Sequence, residues 1–267
     1  MTAPSEAQCA TNLAELRRDL SSLPMRLSAL LALIPTTAQP NCTTDAMLVF
    51  DGSTSMAETA QFTGRLPKIA EARDALGRAL PRVEDFRRIG LMIYGPNRIG
   101  DACDGIKLHF PPVEQAAAPI LEATGSIAPS GLTPLTRSVE MAAEVMNYRT
   151  DPVVIVLLTD GNETCGGRPC ALSQTLAGNA HGLTVHVIGY RLRAHDELFS
   201  WNNPEQTFGD ENVARCLADA TGGLYVTTET VDELTQALQA TLGCALIGDA
   251  RPSRESMTVR RSKNLTY

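Results

Sequence analysis

Five oxygen-bearing side chains, spread over three separate segments, carry the chemistry that this sequence offers. Asp51, Ser53 and Ser55 alternate in Met47-Leu48-Val49-Phe50-Asp51-Gly52-Ser53-Thr54-Ser55-Met56. Thr133 lies in Ser130-Gly131-Leu132-Thr133-Pro134-Leu135, and Asp160 follows the run Val153-Val154-Ile155-Val156-Leu157-Leu158-Thr159. Hard cations such as Mg²⁺ take oxygen ligands, dehydrate reluctantly and are held by few carboxylates. Two Asp and three hydroxyls, completed by water, suit Mg²⁺, or Mn²⁺ or Ca²⁺ by the same ligand chemistry. Any one of these residues, taken alone, reads as readily as an ordinary cap or turn residue. The five together, in this order and after apolar runs, read as a cation site.

Such residues act together only if the fold converges them. Continuous runs rich in Val, Ile and Leu, closed by turn residues, predict strands buried on both faces. Ala46–Phe50, Ile89–Tyr94, Val153–Thr159, Thr184–Tyr190 and Leu224–Thr227 have this character. Ile106–Phe110 predicts a shorter strand at an edge, ended by Pro111-Pro112. Helices are expected over Lys68–Leu80, Val113–Ala123, Pro134–Asn147, Cys170–Ala180 and Asn212–Thr221. Val231, Leu234, Leu238 and Leu242 make one apolar face of a last helix, stopped by Gly243. The alternation predicts an α/β fold: an open, doubly wound, mostly parallel sheet with helices on both faces and one antiparallel edge strand. In such sheets ligands bind at the carboxyl ends of the strands, where Asp51 and Asp160 are expected. Pro134 at a helix start would make Thr133 the N-cap, with its hydroxyl held at the same crevice.

The set Asp51-x-Ser53-x-Ser55, then Thr133, then Asp160 resembles the metal-ion-dependent adhesion site of von Willebrand factor A domains. The resemblance runs from about Thr44 to Gly243 and is sharpest toward bacterial exported members. Pro67-Lys68-Ile69, Tyr94-Gly95, Thr133-Pro134-Leu135, Thr159-Asp160-Gly161-Asn162-Glu163-Thr164-Cys165 and Ala220-Thr221-Gly222-Gly223 carry it. Thr54 stands where many members have Gly, which bears on loop geometry and not on ligation. The resemblance implies direct metal ligation by Ser53, Ser55 and Thr133, with Asp51 and Asp160 acting largely through water. It implies a module that captures a Glu or Asp carboxylate of a protein partner.

The rest of the chain agrees with a binding protein. Its 267 residues, 43% hydrophobic and 20% charged, can form a sizeable core. A net charge of −7 argues against a nucleic-acid partner, although residues 249–267 carry five Lys/Arg against two acids. No apolar run is long enough to span a membrane. The expected organisation is an N-terminal segment over 1–43, the domain over 44–244 and a basic, disordered tail over 245–267. Within the first segment, Met25-Arg26 precedes Leu27–Ile34 and then Pro35-Thr36-Thr37-Ala38. This reads as a secretory signal peptide over 25–38, cleaved after Ala38; the alternative is an amphipathic helix packed on the domain. A start at Met25 would remove Cys9 and leave six of the seven cysteines, an even number. That favours a periplasmic or secreted protein with disulfides; without the signal, the protein would be cytoplasmic. Cys42 and Cys244, at the two ends of the domain, form the best-supported pair. Cys165 with Cys170, and Cys103 with Cys216, are the expected remainder among fifteen possible pairings. A zinc site at Cys165 and Cys170 is the competing reading. The loop Arg191–Gly209 follows a strand aimed at the same crevice and either borders the site or is a surface connection.

Signatures of catalysis are missing. There is no phosphate-binding P-loop, no G-x-S-x-G elbow and no H-E-x-x-H. His186, inside a Val/Ile strand, reads as a core histidine with a hydrogen-bond partner. A phosphatase with Asp51 as nucleophile would want a second Asp where Ser53 stands. The expectation is therefore a non-enzymatic, metal-dependent protein-binding module. A metal-assisted hydrolase, or an accessory subunit of an ATPase complex, are the alternatives.

Overall fold

The computed structural model describes residues 43–59, 66–96, 103–192 and 214–243. The signal-like run 25–38, Cys9, Cys42, Cys244, most of the 191–209 loop and the basic tail lie outside them. Among the described residues there are six strands and six α-helices: β1 (Ala46–Asp51), α1 (Lys68–Ala79), β2 (Ile89–Tyr94), β3 (Ile106–Val113), α2 (Ala117–Gly125), α3 (Leu135–Val145), β4 (Val153–Thr159), α4 (Pro169–Asn179), β5 (Leu183–Tyr190), α5 (Arg215–Thr221), β6 (Tyr225–Thr228) and α6 (Val231–Leu242).

The strands form one sheet in the order β3-β2-β1-β4-β5-β6. β1 runs parallel to β2 and β4, β5 runs parallel to β4 and β6, and β3 alone is antiparallel, against β2. The doubly wound sheet with one antiparallel edge strand is as the apolar runs predict. Every residue of β1, β2 and β4 is buried. This is the consequence of helices covering both faces, and it is why these strands read as unbroken apolar runs.

Strand alternation sorts the core into two halves. Leu48, Phe50, Val156 and Leu158 face Ile69, Ala72 and Leu76 of α1 and Leu234 and Leu238 of α6. Met47, Val49, Ile155 and Leu157 face Val139 of α3, Leu176 of α4 and Leu217 of α5. α6 begins with a capping box, in which the Thr230 hydroxyl accepts from Glu233 N–H while the Glu233 carboxylate accepts from Thr230 N–H. No helix among the described residues is long and apolar enough to cross a membrane.

Three local expectations are corrected. β3 does not stop before the two prolines but runs through Pro111 and Pro112 to Val113, with register shifts against β2. An edge strand with bulges tolerates the missing N–H groups of proline. α2 accordingly starts at Ala117 rather than Val113. α3 starts at Leu135, so Pro134 and not Thr133 occupies the cap position, and no side chain of its own caps it.

Candidate functional site

The order of the strands reverses between β1 and β4, where helices leave toward opposite faces and open a crevice at the carboxyl ends. Asp51 is the last residue of β1 and Asp160 directly follows β4. Two neighbouring parallel strands thus bring residues 109 apart in sequence to one place. Asp160 N–H approaches Asp51 Oδ2 at 3.4 Å.

Alternation fixes which way each carboxylate is held. Asp51 continues the series Met47, Val49, while Tyr94 follows Met92 and Thr159 follows Leu157, so all three belong to the α3 side of the sheet. Asp51 Oδ2 lies 2.8 Å from both the Tyr94 hydroxyl and Thr159 Oγ1. Its Oδ1 accepts Ser53 N–H at 2.8 Å. Asp160 belongs to the opposite series and is held from the α1 side. Its Oδ1 accepts the Ser55 hydroxyl at 2.6 Å and its Oδ2 accepts Lys68 Nζ at 2.8 Å.

Ser53 and Ser55 lie on the turn that leaves β1, with Ser55 inside a short 3₁₀ turn over Thr54–Ala57. Their hydroxyl oxygens are 3.0 Å apart. Gly95 lets the end of β2 pack against the backbone of this turn. It adopts φ +106°, and a Cβ there would sit 2.4 Å from Ser53 N, a clash no side chain could avoid. The segment before α3 is strapped to the same turn: Thr54 N–H and Oγ1 both donate to Gly131 carbonyl, and Ser130 N–H donates to Gly52 carbonyl. Thr133 follows on this strap and is buried. It is held from the other side by Thr164, whose Oγ1 accepts Thr133 N–H at 2.8 Å and whose N–H donates to Thr133 carbonyl at 3.1 Å. Glu163 caps α3 in place of a local residue, accepting Thr136 N–H at 2.7 Å and Cys165 N–H at 2.7 Å.

Asp51, Ser53, Thr133 and Asp160 are each at most 5% exposed, and Ser55 is half-buried. Burial first, and the charge of Asp160 second, push the Asp51 carboxyl up to about 6, against the lowering effect of its bonds from Ser53 and Thr159. An acid whose folded value is raised is stabilising when protonated, so the metal-free protein loses stability as pH rises through about 6. A cation beside Asp51 would oppose that loss.

Reading the sequence alone missed the partners that hold the two carboxylates. Tyr94, Thr159, Lys68, Glu163 and Thr164 appear in the stretches that carry the family resemblance, but their spacing gives no sign of a role. The strand alternation that aligns Tyr94 and Thr159 with Asp51 was the one available signal.

The cysteines also depart from expectation. Cys103 pairs with Cys165, and Cys170 pairs with Cys216. The Cys165–Cys170 loop does not form because Cys170 sits in the first turn of α4, which packs on α5 where Cys216 lies. Cys165 stays with the loop after β4, beside the loop that links β2 to β3. With both cysteines bonded elsewhere, a zinc site there is excluded. Among the described residues no group of three or more His, Cys, Asp or Glu is placed to hold a metal. The candidate set differs in kind, since three of its five members are hydroxyls.

Residues 46–163, which include all five candidate residues, match the family model of the von Willebrand factor type A domain. That stretch of the chain is similar to a von Willebrand factor type A domain. The chain's relative YwmD of Bacillus subtilis is 24% identical over 208 residues, covering 75% of this chain and 85% of that protein. Among solved structures, the domain is similar to the pilus adhesin SpaC of Lactobacillus rhamnosus GG, with a TM-score of 0.56 at 15% identity. That match covers 76% of this chain and 31% of SpaC, so this chain spans under a third of the adhesin. The domain is also similar to proximal thread matrix protein 1 of the mussel byssus in its form with a zinc-occupied MIDAS motif. There the TM-score is 0.51 at 18% identity, covering 76% of this chain and 46% of that one. These likenesses establish the von Willebrand factor type A fold.

Proposed function

We propose that this domain is a divalent-cation-dependent protein-binding module that captures an acidic side chain of its partner. The observation that carries the reading is the spacing of the two serine hydroxyls. Metal–oxygen bonds of about 2.0–2.1 Å in an octahedron put adjacent ligands about 2.9 Å apart. Ser53 Oγ and Ser55 Oγ are 3.0 Å apart. Larger Ca²⁺, with bonds of about 2.4 Å, would need a spacing nearer about 3.4 Å. Mg²⁺ or Mn²⁺ matches this spacing directly, and Ca²⁺ is accommodated by a small widening of the same turn.

The hydrogen bonds assign the roles. Ser55 donates its proton to Asp160 and so accepts from the Ser53 hydroxyl, which leaves one Ser55 lone pair and those of Ser53 for a cation. Ser53 and Thr133 supply the other hydroxyls. Both oxygens of Asp51 already accept bonds from Ser53, Tyr94 and Thr159, and both oxygens of Asp160 are likewise taken, so the carboxylates fit roles through water. Mostly neutral direct ligands leave the bound cation electrophilic toward an anionic oxygen, such as a partner's Glu or Asp. On a chain of net charge −7, that local attraction overcomes general repulsion of an acidic partner. The similarity to SpaC, a pilus adhesin, supports a role in protein contact.

The module is proposed to bind without turnover. A phosphatase of the nucleophilic-Asp type would want a second Asp two residues beyond Asp51, where Ser53 stands. Two disulfides, which persist in oxidising compartments, support export to the periplasm or the exterior. Calorimetric titration with Mg²⁺ is the direct test. Wild-type protein should bind one equivalent and Ser55→Ala should bind at least about tenfold more weakly. A pull-down of envelope proteins in Mg²⁺ against chelator then reports the partner. Equal Mg²⁺ affinity in the two proteins removes the assignment.

A further inference from the structure

We propose that Lys68 is the internal counter-cation of this site, which sets its net charge and makes the loaded site select an anion. The inference rests on the metal-binding reading above and adds a residue outside the five oxygen donors.

Lys68 is out of place by every local rule. It is 4% exposed, although lysine is almost never buried without a partner. It is the first residue of α1, where the helix dipole disfavours a positive charge. No side chain caps this helix end, and Pro67 precedes it. A residue that violates burial and dipole preferences together is retained for what it touches. Its Nζ donates to Asp160 Oδ2 at 2.8 Å in a pair whose side chains are 5% and 0% exposed. Glu58 Oε2 lies 3.5 Å from the same Nζ, with a third of its side chain in solvent. The backbone fixes this arrangement, since Lys68 N–H donates to Glu58 carbonyl at 3.0 Å.

The charge count gives the consequence. Asp51 and Asp160 alone carry −2 and would fully compensate a divalent cation. With Lys68 the trio Asp51, Asp160 and Lys68 carries −1, and a bound divalent cation turns it to +1; buried Glu163 is committed to the Thr136 and Cys165 N–H groups at the start of α3. Glu58, at the wet rim, is screened by solvent and offsets only part of this. A site left positive when loaded holds its metal less tightly and attracts a carboxylate more strongly. Lys68 thus trades cation affinity for capture of an acidic partner group.

The test titrates Mg²⁺ alone, then acetate into the Mg²⁺-saturated protein, for wild type, Lys68→Met, Lys68→Arg and Glu58→Gln. Lys68→Met should bind Mg²⁺ at least tenfold more tightly and acetate at least fivefold more weakly. Its metal-free melting temperature should fall, because Asp160 loses its partner, and Mg²⁺ should raise it by more than it raises wild type. Lys68→Arg keeps the charge and should stay within about threefold of wild type for both ligands. Glu58→Gln, at the rim where folding is not at risk, should bind Mg²⁺ two- to threefold more weakly. Lys68→Met that binds Mg²⁺ no more tightly than wild type overturns the inference while leaving the metal site standing. If Lys68→Met does not fold, Glu58→Gln with unchanged or tighter Mg²⁺ binding overturns it instead. Wild type that binds no Mg²⁺ or Mn²⁺ sinks the metal reading itself, a result the first titration reports separately.

Discussion

Thr133 and Thr164 are joined by two hydrogen bonds, one in each direction, so the segment before α3 and the loop after β4 move as one piece. Thr133 has no helix-cap geometry of its own to fix it. Its position is borrowed from the residues just beyond Asp160. One loop therefore carries Asp160, positions the Thr133 hydroxyl and caps α3 through Glu163.

Thr164→Val tests this dependence. The variant keeps the shape but removes the acceptor for Thr133 N–H. A lost hydrogen bond with a desolvated donor left behind costs about 1–3 kcal/mol. We expect Mg²⁺ affinity to fall by about tenfold, with a modest drop in thermal stability. Calorimetry alongside thermal melts checks both; a lower melting temperature with wild-type Mg²⁺ affinity would mean that Thr164 serves the fold and not the site.

The Cys103–Cys165 bridge anchors the same loop one residue further on. It closes a sequence separation of 62 residues, and chain-entropy models place such a bridge at about 4 kcal/mol, with measured values often smaller. Cys103→Ser with Cys165→Ser should lower the denaturation midpoint accordingly. It should also speed amide exchange at Thr133 and Thr136 more than at β1 and β4. Uniform acceleration across the sheet would show that the bridge stabilises the domain without bearing on the site.

Tyr94→Phe removes one of the donors that hold Asp51 Oδ2. The carboxylate is fully buried, and hydrogen bonds to charged groups are worth about 1.5–3 kcal/mol. Losing this donor should push the Asp51 carboxyl further up and weaken Mg²⁺ binding most strongly near pH 6. Mg²⁺ titrations at pH 6 and pH 8 should differ more in Tyr94→Phe than in wild type. The same difference in both would show that Tyr94 leaves Asp51 unaffected.

How much of this was legible in the sequence depends on the range of each interaction. β1 and β4 could be read because burial on both faces leaves only Val, Ile, Leu and their like, and their ends named Asp51 and Asp160. Ser53 and Ser55 followed from spacing alone. The start of α3 was misplaced because Pro134 looks like a first helical residue, while the actual cap, Glu163, comes from another segment. β3 was cut short because Pro111-Pro112 usually ends a strand, and only its edge position shows why it need not. The four cysteines Cys103, Cys165, Cys170 and Cys216 pair differently from expectation because nearness in sequence suggests Cys165 with Cys170, whereas α4 turns Cys170 toward α5. Lys68 was hidden for the same reason: its partner Asp160 is 92 residues away.

His186 supplies a test of the fold independent of the metal site. It was expected as a core histidine with a partner, and its Nδ1 accepts Leu224 N–H at 2.9 Å, across to the segment leading into β6. That bond requires the neutral ring. Burial first, and the positive charge of Arg87 second, lower its value from the usual 6.5 to about 4. A histidine whose folded value is depressed resists protonation in the folded state but takes a proton in the unfolded chain. Its contribution is therefore complete above about pH 6.5 and is lost as pH falls toward about 4. The shift corresponds to about 2 kcal/mol once the partial exposure of the ring is allowed for. Asp51 acts in the opposite direction over an overlapping range, so the comparison must be differential. His186→Asn keeps an acceptor for Leu224 N–H but does not titrate. Urea denaturation of both proteins from pH 7.5 to pH 4.5, in chelator, should show wild type losing about 1–2 kcal/mol more than the variant. Parallel profiles would mean that the ring is protonated in the folded protein and that Leu224 N–H is held by some other acceptor.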